Sequence, residues 1–377
     1  MANTIQVSND IWDWISDNVS ESNRHFLEQW KSGVKKPTFN QLEDFSKKTH
    51  IPIGYFFLTS PPTEELKILE FRTVNSLSLS NPSRDLIDTV HQMENVQEWM
   101  REYIISSRGE KISFVGSENK NKNVNDFANA IRKVLSLPLN WYKKSKDINA
   151  SFKTLRQAMS SIGILVMMNS IVGSNTRRKL NIEEFRAFTF IDEYAPLIFI
   201  NSADSKEGMV FSLLHEFCHI GIGTSSLFNN DPNNSDYINP NEVICNNVAA
   251  EILVPMSEFK SKWQNKSGTN NDKINTLATY FRCSRAVIAR RALDNQFITN
   301  VEYNNVVLQT KTSKENIGGA NYYKTLASHI DHKLLFALDS SLNEGRTLHT
   351  EAFRLTNTNR STFDNLISEI RGNKNEQ

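Results

Sequence analysis

The most informative stretch of this chain is VFSLLHEFCHI, residues 210–220. Residues four apart on a helix lie on one face, so His215 and His219 can bind one metal ion together. Zinc accepts imidazole nitrogens at about 2.0–2.1 Å. Glu216 follows His215 directly and therefore flanks the ion, where the general base of a metal-assisted hydrolysis belongs. The spacing predicts a zinc-binding helix with Glu216 as its catalytic residue.

A third ligand is expected from the stretch NPNEVICNNVAAEILVP, residues 239–255. Asn239 and Pro240 are typical of a helix start. Glu242 can supply a carboxylate ligand, and Asn246, four residues on, can accept the ring N–H of a histidine ligand. Glu251 is the competing carboxylate. It lies about 180° around the helix from Glu242, so one straight helix cannot turn both toward the ion.

Two of the three cysteines fall inside these stretches. A thiolate binds zinc well. However, Cys218 directly precedes His219 and points about 100° away from it on a helix. We interpret Cys218 and Cys245 as small buried hydrophobic residues. Three cysteines do not make a disulfide framework, which favours a reduced, cytoplasmic protein.

Length and charge exclude some classes of protein. The chain has 377 residues, with 43 Lys and Arg against 42 Asp and Glu, and this length favours two or three domains. A net charge of +1 argues against a polyanion binder that relies on bulk charge, although it is compatible with a local basic face. No apolar run approaches the roughly 18 residues of a membrane span, and the N-terminus does not resemble a signal peptide. We therefore expect no membrane segment.

Hydrophobic patterning predicts an α+β fold that is mostly helical, around a small antiparallel sheet. Short apolar segments predict strands at residues 164–169, 185–191 and 197–201. Helices are predicted at residues 82–105, 127–135, 151–159, 206–220, 240–254, 274–281 and 285–295. Residues 118–126 and 221–239 are predicted as loops. Tyr237, in the second loop, is a candidate oxyanion donor, although ordinary loop packing is the preferred interpretation.

Three segments together resemble the ImmA/IrrE metallopeptidase family, whose peptidase domain is gluzincin-like. FRAFTFIDEYAPLIFIN (185–201) is similar to the family's P-x-I-x-I-N strand, and VFSLLHEFCHI to its HExxH helix. NEVICNNVAAEILVP (241–255) is similar to the E-x-x-x-N helix that ends in A-A-E-x-L-x-P. Cys218 stands where the family often has Gly or Ala. The resemblance implies Zn2+ held by His215, His219 and Glu242, with Glu216 as the catalytic base.

Two flanking segments resemble helix-turn-helix modules. Residues 30–58 are similar to the second half of an Xre-type module. Residues 274–299 are similar to a second module and contain four arginines, Arg282, Arg285, Arg290 and Arg291. Few residues precede the first, so we favour a degenerate helical module that packs on the peptidase over DNA binding. For the second, the sequence is equally compatible with a solvated helix face and with contact to DNA or a partner protein. The predicted domains are a degenerate module at 1–70, a helical connector at 71–122, a zinc metallopeptidase domain at 123–263, a helix-turn-helix-like module at 264–310 and a C-terminal helical extension at 311–377.

The resemblance implies a metalloendopeptidase with a narrow protein substrate. That substrate would be a transcriptional repressor, cleaved to derepress a stress or mobile-element operon. The alternative is a DNA- or protein-binding regulator with a structural or vestigial metal site. A structural zinc site is normally closed by a fourth protein ligand. The sequence offers three clear ligands and a base, which favours catalysis.

Overall fold

A small sheet and the helix packed against it position the residues singled out above. The computed structural model describes residues 4–19, 21–62, 82–119, 122–228, 239–312 and 322–372. The chain divides into two units. Of the described residues, 4–62 and 82–90 belong to the first unit, and the rest, from residue 91 on, belong to the second.

The first unit is helical and has its own hydrophobic core. It holds α1 (Asn9–Asn18), α2 (Glu21–Lys31), α3 (Phe39–Thr49) and a 3₁₀ turn (Ile53–Phe57). Thr38 and Gln41 form a reciprocal capping box that fixes the start of α3. Its buried core includes Ile11, Trp12, Ile15, Leu42, Phe45 and Phe56. Two helices therefore precede α3, although the segment before it is short.

The second unit is mostly helical, as predicted. Helix α4 (Arg84–Ser106) starts in the first unit and continues into the second. The remaining helices are α5 (Val124–Val134), α6 (Ile148–Ser161), α7 (Lys206–Ile222), α8 (Pro240–Leu253), α9 (Met256–Asn265), α10 (Asn270–Phe281), α11 (Arg285–Asp294), α12 (Asn300–Thr312), α13 (Tyr322–His329), α14 (His332–Asn343), α15 (His349–Thr356) and α16 (Arg360–Gly372), with a 3₁₀ turn at Trp141–Lys144. Within the described part of the chain, no helix combines the length and apolar character that a membrane crossing requires.

The sheet has four strands in the order β1-β5-β4-β6. These are β1 (Leu165–Asn169), β4 (Ala187–Phe190), β5 (Leu197–Asn201) and β6 (Ser226–Phe228), and a separate hairpin holds β2 (Ile171–Val172) and β3 (Asn175–Lys179). The α+β class and the three predicted strands are confirmed. The sheet is mixed, however, because the chain forms the hairpin and β4 before it returns beside β1, which leaves β5 parallel to β1.

Helix α7 is buried on every side. The Ser205 side chain accepts a hydrogen bond from the Gly208 N–H and caps its start, and Gly223 ends it in the left-handed region at φ 81°. Leu213 and Phe217 are buried, but so are the polar residues of the opposite face, His215 and Glu216 among them. Buried polar groups are costly unless they have partners. The contacts of this polar face therefore show what its buried groups can bind.

The predicted second helix-turn-helix-like module shares its core with α7 and α8. Helix α8 starts at Pro240, and Asn239 caps it by accepting a hydrogen bond from the Asn241 N–H. Phe281 of α10 and Ile288 of α11 are fully buried in the same hydrophobic cluster as the inner faces of α7 and α8. Helices α10 and α11 thus pack as part of the body that carries the HExxH helix.

Candidate metal centre

The structure brings His215, His219 and Glu242 together. The two Nε2 atoms lie 3.1 Å apart. One carboxylate oxygen of Glu242 lies 3.1 Å from Nε2 of His215, and the other lies 3.1 Å from Nε2 of His219. Tetrahedral ligands about 2.0–2.1 Å from one ion are separated from each other by about 3.3 Å. The three side chains therefore fit a zinc-sized ion.

Helix geometry and packing produce this arrangement. His215 and His219 are one turn apart on α7, and Glu242 lies in the first turn of α8, which packs against α7. Both histidines are buried, and 14% of the Glu242 side chain is exposed. Burial raises the pKa of Glu242, but the two imidazoles outweigh burial and hold that pKa well below its ordinary value. An ionised carboxylate is the form that binds a cation.

Glu216 lies beside these ligands with its carboxylate fully buried. Its Oε2 accepts hydrogen bonds from the Thr189 hydroxyl and the Ser226 hydroxyl, each at 2.5 Å. Burial raises the pKa of Glu216, and the nearby imidazoles and hydroxyls offset this only in part. Oε1 has no hydrogen-bond partner among the described residues. Glu216 therefore has one oxygen that is held by two hydroxyls and one that is buried without a hydrogen-bond partner among those residues.

The groups around the histidine rings differ from those expected. The described residues provide no hydrogen bond between Asn246 and either ring, so its role stays a prediction. Thr224 approaches Nδ1 of His219, at 3.3 Å, and the Cys245 thiol also hydrogen-bonds the His219 ring. The Phe228 ring packs on the His215 ring with the centroids 4.1 Å apart. Thr189, Ser226 and the neighbours of the rings were not predicted as site residues, because their contacts arise only from the tertiary structure.

Glu251 has a different partner from Glu242. Its carboxylate forms an ion pair with Arg291 of α11 at 2.9 Å and accepts hydrogen bonds from the Met256 N–H. Arg132 donates to the Glu251 backbone carbonyl at 2.7 Å. Both members of the ion pair are buried. Glu251 thus joins α8 to α11, and it is not grouped with the two histidines.

The cysteines lie near the site but are not part of the ligand group. Cys218 and Cys245 are both fully buried, and neither forms a disulfide. Burial raises the pKa of the Cys245 thiol, which favours its protonated form. Among the described residues the group that could hold a metal consists of two histidines and one glutamate. Tyr237 and most of the predicted loop at 221–239 lie outside the described residues. Within its described part, α7 continues to Ile222 and β6 covers Ser226–Phe228.

Breaking the Glu251–Arg291 pair is expected to destabilise the protein. Arg291→Ala leaves the Glu251 carboxylate buried without its counter-charge, which costs about 3–5 kcal/mol for pairs of this kind. Arg290→Ala is the matched control, because Arg290 is the next residue, is exposed and pairs with Asp294. It should cost less than about 1 kcal/mol. Urea unfolding of both variants measures their free energies of unfolding. Equal losses of free energy would show that the buried ion pair stabilises the protein no more than the exposed one.

Comparison with known families agrees with this geometry. Residues 159–293 match the family Peptidase_M78, described as an IrrE N-terminal-like domain. Residues 330–369, which include α14 and α15, match a domain of unknown function, DUF8813. The chain matches neither a curated protein nor a solved structure. The matched segment holds the ligand group, Glu216 and the Glu251–Arg291 pair, and it extends beyond the predicted domain end at residue 263. The match of residues 159–293 to Peptidase_M78 thus supports the resemblance of this segment to the ImmA/IrrE metallopeptidases.

Proposed function

We propose that the chain is a zinc-dependent endopeptidase that cleaves one specific intracellular protein, a transcriptional repressor, and thereby derepresses a stress or mobile-element operon. The observation that carries the enzymatic part is the triangle of His215, His219 and Glu242 with the Glu216 carboxylate beside it. The family resemblance supports the repressor substrate.

In the proposed reaction, the ion and the protein side chains have different roles. When bound, zinc supplies a Lewis acid that polarises the scissile carbonyl and acidifies water. Oε1 of Glu216 accepts the proton of the attacking water and passes it to the nitrogen of the leaving amine. His215, His219 and Glu242 hold the ion. Burial of these residues excludes bulk water and strengthens the electrostatic interactions among them.

The rival function, a DNA-binding regulator with a structural metal, receives less support. Among the described residues, the metal group offers three protein ligands, whereas structural zinc sites normally have four. Helix α11 would be the recognition helix of the second module, but its Arg291 is buried in an ion pair. Arg290 pairs with Asp294, and Arg285 donates to Asn271 and Gln309. Each of these three arginines therefore already contacts another side chain of the protein.

Narrow specificity is the expected result of a proteome-wide cleavage test. The zinc-loaded protein would be added to a cell extract of its own host, and new N-termini would be labelled and identified by mass spectrometry. We expect new termini in one protein, a repressor encoded near this chain, and little digestion of casein. The Glu216→Gln protein is the control for cleavage by contaminating proteases. General digestion of unrelated proteins would contradict the regulatory proposal but not the peptidase one.

A further inference from the structure

We propose that Thr189 and Ser226 are positioning residues, whose hydroxyls orient the Glu216 carboxylate so that Oε1 alone is left to accept a proton. This inference rests on the proposed function, because it concerns the base of that reaction. Both hydroxyls donate to the same oxygen, Oε2, at 2.5 Å. Distances of about 2.5–2.7 Å are typical of O–H donors on a carboxylate.

The sheet places the two hydroxyls opposite each other. Thr189 in β4 and Ser226 in β6 are directly paired across the antiparallel strands. Cross-strand partners project their side chains on the same face of a sheet. That face lies against α7, which carries Glu216. Two rigid strands therefore hold the carboxylate from one side, so its orientation does not depend on the rotamer preference of Glu216 alone.

The two hydroxyl donors use both lone pairs with which Oε2 can accept hydrogen bonds. A carboxylate oxygen has about two lone-pair sites, and here both are directed at hydroxyls. Oε1 is equally buried and has no hydrogen-bond partner among the described residues. The asymmetry fixes which oxygen can receive a proton from a water. A carboxylate that turned freely would present either oxygen and would lose this preorganisation.

Strand β6 and the residues just before it support the same helix at three points. Ser226 and Phe228 alternate along β6, and Thr224 lies two residues before it, where its N–H bonds the His219 carbonyl. Thr224, Ser226 and Phe228 contact His219, Glu216 and His215 respectively. Alternate residues of a strand face one side, so one short segment meets all three residues of the motif. This regularity argues that the Ser226 contact is part of an ordered support for α7.

A small chelating ligand tests the inference without a known substrate. Acetohydroxamic acid releases a proton when it binds a divalent ion, and a correctly placed carboxylate can accept that proton. Its affinity for the zinc-loaded full-length chain would be measured by calorimetry for the wild type, Thr189→Val, Ser226→Ala and Glu216→Gln. Ser225→Ala is the matched control on the same segment, because the Ser225 hydroxyl accepts a hydrogen bond from the Ile191 N–H and does not bond Glu216. Thr189→Ser keeps the hydroxyl.

We expect Thr189→Val and Ser226→Ala to weaken hydroxamate binding about tenfold or more, as loss of a hydrogen bond to a charged group does. Zinc content should stay unchanged in both. Thr189→Ser and Ser225→Ala should bind like the wild type. In the Glu216→Gln background, Thr189→Val should have no further effect, because its action passes through Glu216.

Two results would overturn the inference while leaving the proposed function intact. One is wild-type affinity in Thr189→Val and Ser226→Ala when Glu216→Gln is weakened. The other is an equal loss from Thr189→Val with and without Glu216, which would assign the effect to general structure. If the wild-type protein bound neither zinc nor hydroxamate, the proposed function would fail, and the inference with it.

Discussion

Glu216→Gln should leave zinc bound and lower the rate of cleavage by about 10²–10⁴-fold, the usual contribution of general acid–base catalysis. Glutamine has nearly the same shape, and its amide oxygen can still accept hydrogen bonds from Thr189 and Ser226. It lacks the second basic oxygen that takes the proton. The measurement is the rate at which the substrate's new N-terminus appears, beside zinc content by elemental analysis.

The interpretation of this variant depends on the metal result. Glu216 belongs to neither ion pair between the histidines and Glu242, so the ligands should stay in place. A Glu216→Gln protein that cleaves at the wild-type rate would remove Glu216 from the mechanism. A protein that has lost its zinc would instead assign Glu216 a role in holding the ion.

Glu242→Ala should lose metal affinity first and activity as a consequence. The wild type should hold about one zinc per chain, since one group of three ligands is present among the described residues. Loss of a residue that merely supports a ligand already costs about 10–100-fold in metal affinity, so loss of the carboxylate ligand itself should cost at least as much. Titration against a coloured zinc chelator measures the affinity. Excess zinc should partly restore this variant, but not Glu216→Gln.

Glu251→Ala is the control for Glu242→Ala, because both glutamates lie on α8. Removing Glu251 leaves Arg291 buried without its partner, so we expect lower thermal stability with zinc affinity close to wild type. The opposite pattern, in which Glu251→Ala loses zinc and Glu242→Ala keeps it with full activity, would show that the third ligand is wrongly chosen. Together the two variants separate metal binding from the stability of the helix packing.

Local sequence signals were enough to predict much of this fold. The strands at β1, β4 and β5 are short apolar segments bounded by turn residues, and the cap at Asn239 with Pro240 marks the start of α8. His215 and His219 share a face because any α-helix places residues four apart together. The same geometry put Glu242 and Glu251 on opposite sides of α8. These features follow from the backbone periods of helix and strand, which a sequence displays directly.

Strand β6 could not be predicted in the same way. It is three residues long and lies in a stretch rich in Gly, Asn and Ser, which reads as loop. Its place in the sheet comes from pairing with β4, nearly forty residues earlier in the chain. Thr189 and Ser226 therefore carry no sequence signal, since their hydroxyls become neighbours of Glu216 only when the two strands pair.

The helix that carries the motif, the spacing of the two histidines and the helix that carries the third carboxylate could all be predicted from the sequence. The tertiary structure brings Glu242, the carboxylate that the sequence favoured, to the histidines, and it pairs Glu251 with Arg291, a partner that no motif indicated. It also decided which oxygen of Glu216 is held. Periodic patterns fix which face a side chain occupies, whereas the partner on the other side comes from elements distant in the chain, and burial makes that partner decisive.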